Sequence, residues 1–137
     1  MRQGVTGKKA NLYWRTTPAI RYLLRAYHAS SRILAKCHEL DALKAMPDVS
    51  EEVSKKIGMV EEEIKSLLAL QTEIKSQIAA STDDLRYRQI LEMRYVSGLT
   101  MQEAADALNY SKRYAERLRA KALKAFEKYL IANGIEH

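Results

Sequence analysis

The chain has 137 residues, 47% of them apolar and 29% charged, with a formal net charge of +6, two prolines and one cysteine. That size allows one modest domain or two small helical units, and a lone Cys37 excludes an internal disulfide and agrees with a reducing compartment. No run approaches the ~18 apolar residues of a membrane span, so no membrane partner is expected and the setting is cytoplasmic, while the positive balance favours an anionic partner.

Residues 1–16 carry Arg2, Lys8, Lys9 and Arg15 without an acid and include Gly4 and Gly7. They read as a flexible basic arm. Thr17 followed by Pro18 is an N-cap with proline at the first helical position, where its missing donor costs nothing. The helix it opens is expected to reach about Met46, with Ile20, Leu23, Leu24, Tyr27, Leu34, Cys37, Leu40 and Leu43 as its apolar stripe. His28 and His38 lie ten residues apart with no ligand at metal-binding spacing. They read as surface or packing residues, and neither a metal nor a cofactor is expected.

Pro47 breaks the chain, and Asp48 or Ser50 can cap a second helix running to about Ala80. Val53, Ile57, Val60, Ile64, Leu67, Gln71, Ile74 and Ile78 step by four and three through it, which is a coiled-coil heptad pattern. The short Pro47 loop predicts an antiparallel hairpin, and the regular seam equally permits a homodimer, so residues 17–80 are read as a hairpin or coiled-coil oligomerisation segment. Two such hairpins would make a four-helix bundle. Acids 48, 51, 52, 61, 62, 63 and 73 outnumber bases 55, 56, 65 and 75. This helix should face away from an anionic partner.

Residues 81–137 read as a separate unit with a hinge near Ser81. Ser81 to Asp84 supplies a cap, with two carboxylates expected in the first turn, for a helix from Leu85 to Val96 that Gly98 ends; Leu85, Ile90, Leu91 and Tyr95 are its expected core face. Thr100 with Glu103 forms a capping box that opens a short helix ending at Asn109, a residue that tolerates the left-handed exit conformation. Ser111 caps the next helix, whose apolar face is Ala115, Leu118, Ala122 and Phe126. Residues 111–128 hold seven Lys or Arg against two Glu. Two helices joined by about three residues, the second with one apolar and one basic face, form a helix-turn-helix whose second helix enters the major groove of double-stranded DNA.

The stretch Arg94 to Phe126, RYVSGLTMQEAADALNYSKRYAERLRAKALKAF, resembles region 4 of the bacterial sigma-70 family. The features that match are RY followed by GL, the cap Thr100, the EAA at Glu103 to Ala105, Ser111, and AKAL at Ala120 to Leu123. With its upstream helices the chain is similar to small phage and prophage proteins of the ArpU/RinA type and a related phage family, which implies late-gene regulation inside a bacterial host. Carried over position by position, the resemblance places base reading on Lys112, Arg113, Glu116 and Arg117. Thr100, Ser111, Tyr114, Arg119, Lys121, Lys124 and Lys128 are the phosphate candidates. Ala104 and Ala107 stand where the pattern carries large aliphatics and Asn109 where it carries glycine, with Tyr110 and Tyr114 expected to refill the core. The signs of the four base-reading residues differ from those of the principal sigma factor, which points to a different, G·C-containing site, because Arg takes guanine bidentately and Glu accepts from cytosine.

The sequence therefore predicts an all-α, non-enzymatic, DNA-binding transcription regulator acting as a dimer. There is no phosphate loop, nucleophile elbow or small-molecule site motif. The alternatives are an adaptor that binds RNA polymerase and a DNA-packaging protein of the small-terminase kind.

Overall fold

The computed structural model describes residues 17–48 and 50–135. The expected basic arm, residues 1–16, lies outside the described residues. Among those described there are only helices: α1 (Pro18–Lys44), α2 (Glu51–Ser81), α3 (Leu85–Leu91) continuing into a π-turn (Glu92–Val96), α4 (Met101–Leu108) and α5 (Lys112–Ala132).

α1 begins where the Thr17–Pro18 pair places it and ends at Lys44, two residues before Met46, because Ala45 already leaves the helix ahead of Pro47. Ser50 caps α2, accepting from the Val53 amide. The two helices pack as an antiparallel hairpin, and the heptad seam of α2 faces α1. Gln71, the polar residue of that seam, donates to the Ser30 hydroxyl at 2.8 Å and to the Ala26 carbonyl at 3.2 Å. Ser30 in turn donates to the Val96 carbonyl at 3.0 Å. A polar chain thus runs from α2 through α1 to the π-turn, with each buried group satisfied.

The seam is not uniformly buried. Val60, Leu67, Ile74 and Ile78 are buried, whereas Val53, Ile57, Ile64 and Gln71 are half-buried. The α1 stripe is also redistributed. Leu34 is 60% exposed, and Cys37, Leu40 and Leu43 are half-buried, while Ala19, Tyr22, Ala26 and Ala29 are buried with Ile20 and Leu23. The cause is topology: the first half of α1 packs against both α2 and the C-terminal helices, so its buried face is wider than one stripe, and the second half has α2 alone.

Asp84 itself is the N-cap of α3, accepting from the Arg86 amide at 2.9 Å, so neither carboxylate lies in the first turn. Ile90, Leu91 and Tyr95 are buried as expected, but Leu85 is 61% exposed. At 3.6 residues per turn it projects from the side away from Ile90. The expected single helix to Val96 changes at Glu92 into a π-turn, and Gly98, at φ 78°, lets the chain leave it. One core joins Leu23, Ile74, Ile78, Leu91, Tyr95, Ala104, Leu118 and Phe126. Helix packing therefore continues across the Ser81 junction.

Candidate nucleic-acid interface

The turn between α4 and α5 is fixed by local hydrogen bonds. The Thr100 hydroxyl accepts from the Glu103 amide at 3.1 Å, and the Glu103 carboxylate accepts from the Thr100 amide at 2.9 Å, completing the capping box. Asn109 closes α4 at φ 61°, ψ 40°, in the left-handed region. Ser111 then accepts from the Tyr114 amide at 3.1 Å and opens α5. Ala104 and Ala105 are fully buried, small enough to let α4 and α5 approach closely; Ala107 is exposed. Tyr110 and Tyr114 pack against the core as partly buried rings, edge to face with centroids 4.9 Å apart.

α5 presents Ala115, Leu118, Ala122, Leu123, Phe126 and Leu130 inward. Arg113, Arg117, Lys121, Lys124 and Lys128, spaced by four, four, three and four, are all exposed and share the opposite face. Lys112 is exposed at the start of the helix. This is a continuous cationic stripe behind a rigid turn, the arrangement that can meet phosphates along its length and base edges at its N-terminal end.

Two of the sequence candidates do not join it. Glu116 and Arg119 are half-buried, pair with each other at 2.9 Å and border a cleft against α1. Arg119 also approaches Tyr95; burial pushes that phenol's pKa up, and the positive charges of Arg119 and Arg94 pull it back. The Thr100 and Ser111 hydroxyls accept the capping bonds, leaving their own protons to donate outward. Tyr114 accepts from the Arg86 guanidinium at 2.8 Å, and the Arg117 guanidinium lies 5.9 Å from its ring centroid.

Arg86 is a component that sequence reading missed. It is exposed, forms a two-point contact with Asp84 at 2.9 and 3.2 Å, and crosses from α3 to Tyr114 of α5. Asp84 holds the guanidinium pKa above its ordinary value, with Tyr114 adding to it, and Arg86 in return holds the Asp84 carboxyl low. No local pattern signals a contact between residues 28 positions apart.

Residues 84–126 match the family model for Sigma-70, region 4. This stretch is a sigma-70 region 4-like helix-turn-helix. The match begins at the N-cap of α3 and ends at the buried Phe126 of α5, so it contains the capped turn and the cationic stripe up to Lys124. No curated protein and no solved structure matches the chain. Sigma-70 region 4 is a DNA-binding, non-enzymatic domain family, which suggests a DNA-binding region here, and the α1–α2 hairpin lies outside the match. Among the described residues, no helix is long and apolar enough to cross a membrane.

Proposed function

We propose that the protein is a sequence-specific transcription regulator of phage or prophage type that places α5 in the major groove. The observation that carries this reading is the five-residue cationic stripe Arg113, Arg117, Lys121, Lys124 and Lys128 on the exposed face of a capped second helix. Lys112, Arg113 and Arg117 read base edges, and Lys121, Lys124 and Lys128 bind phosphates. Glu116 and Arg119, turned toward α1, are assigned no DNA contact. Dimerisation through the distal hairpin, where Leu34 and Leu68 are exposed at 60% and 48%, would set two recognition helices ~34 Å apart, one DNA turn.

The test is titration of the full chain onto fragments from its own genomic neighbourhood at ~0.15 M salt with excess random duplex. Specific complexes are typically ~10³-fold or more tighter than nonspecific ones under such conditions. Retention of one fragment is the expected result. The same exposed hairpin residues favour a second reading, an adaptor that docks on RNA polymerase, and uniform salt-sensitive binding with no retained fragment would select it.

A further inference from the structure

A cleft of about 810 Å³ opens between α1, the π-turn and α5, within the range of about 300–1,000 Å³ in which proteins hold small molecules. Its apolar wall comes from Ile20 and Leu24 of α1 and Leu123 of α5. Its charged wall is Arg94, Arg119 and Glu116, of which the last two are paired with each other at 2.9 Å. Arg94 is different. Its guanidinium lies over the rings of Tyr27 at 5.2 Å and Tyr95 at 5.5 Å, donates to the Leu99 carbonyl at 3.3 Å, and forms no ion pair among the described residues. It is half-buried, so this charge is partly withdrawn from water without an anionic counterpart. A guanidinium has five donors in a planar fork that suits carboxylate, sulfonate or phosphate oxygens.

Both Arg94 and Tyr95 are carried by the π-turn, a helix irregularity that occurs disproportionately at functional sites. We propose that this cleft binds a small anionic ligand with an apolar, ring-sized body, its anion on Arg94 and its body between Leu24 and Leu123. A nucleic-acid backbone fits less well than a small ligand, since a phosphodiester would leave the apolar wall without a partner. The site does not depend on the DNA-binding reading and lies away from the outward stripe of α5.

The test uses the full chain and two fluorescent probes that share one aromatic body and differ by a single sulfonate group, 1-anilinonaphthalene-8-sulfonate and the neutral N-phenyl-1-naphthylamine. The sulfonate is expected to bind saturably at one site per chain and about tenfold or more tighter than the neutral probe, as a charge-assisted contact requires. Arg94→Gln should remove that preference and leave the neutral probe unchanged. Ala120→Phe, which fills the cleft from α5, should abolish binding of both. Thermal unfolding followed by circular dichroism identifies a variant that has lost its fold; if Arg94→Gln has, Arg119→Gln takes its place and should weaken the sulfonate alone. Equal affinity for the two probes, or sulfonate binding unaffected by Ala120→Phe, would overturn the proposal. Loss of random-duplex binding in a folded Ala120→Phe chain would also overturn it, in favour of a DNA backbone in the cleft.

Discussion

The two ends of the hairpin have the same helical periodicity and opposite fates. At its base, Leu23, Ala26, Ile74 and Ile78 are sealed beneath the sigma-70 region 4-like unit. In its distal half, only Val60 and Leu67 are buried, and the helices are joined by exposed ion pairs, Lys36 with Glu63 at 3.1 Å and Lys44 with Glu61 at 3.6 Å. Solvent-screened pairs of this kind add little to stability. A heptad pattern specifies which side of a helix is apolar; the number of neighbours decides how much of that side is withdrawn from water. The base has two neighbours and serves as foundation for the sigma-70 region 4-like unit, whereas the distal arm has one and keeps more of its apolar side exposed.

Substitutions at matched depths sharpen that contrast. Phe126→Ala removes a fully buried ring from the shared core and should cost ~3–5 kcal/mol in urea unfolding. An effect below ~1 kcal/mol would break the idea of a common core. Arg117→Ala should relax discrimination between sites by ~1–3 kcal/mol per base pair read, whereas Lys124→Ala should weaken all sequences alike and lower the salt slope by ~1. Competition binding at several salt concentrations separates the two. Thr100→Ala breaks the capping box and should cost ~1 kcal/mol in stability, with unfolding and DNA affinity falling together because the cap sets the turn. Leu34→Ala, in the distal arm, should change monomer stability by less than ~0.5 kcal/mol. A larger loss at high dilution would mean the arm is stabilised as the base is.

The helix-turn-helix was legible because its determinants are local. Thr100, Glu103, Asn109 and Ser111 act within four residues of themselves, and each adopts the conformation and bond that its type suggests. The hairpin was legible for the same reason at Pro18, Pro47 and Ser50. What the sequence concealed depends on neighbours distant along the chain. Leu34 belongs to the α1 stripe but lies beyond the C-terminal unit, so it is exposed, while Ala26 and Ala29 are buried under it. Ser30, a polar residue among the apolar positions of α1, is the middle of the bond chain from Gln71 to Val96. Arg119, four residues after Ala115 and three before Ala122, falls by spacing on the inward side with Glu116 beside it, where α1 packs, whereas Arg86 reaches Tyr114 only through the tertiary fold.

If the outward face of α5 holds DNA, reversing its charge should release the duplex, and the contact given up among the described residues is that of Arg117 with the Tyr114 ring. Arg113 and Arg117 are both exposed and carry no ion pair among the described residues. The double substitution Arg113→Glu and Arg117→Glu, measured by duplex titration alongside thermal unfolding, should leave stability within ~0.5 kcal/mol and reduce affinity by about a hundredfold or more at 0.1 M salt. Unchanged duplex affinity in a folded double variant would contradict the account and move the DNA contact, or the function itself, to another surface.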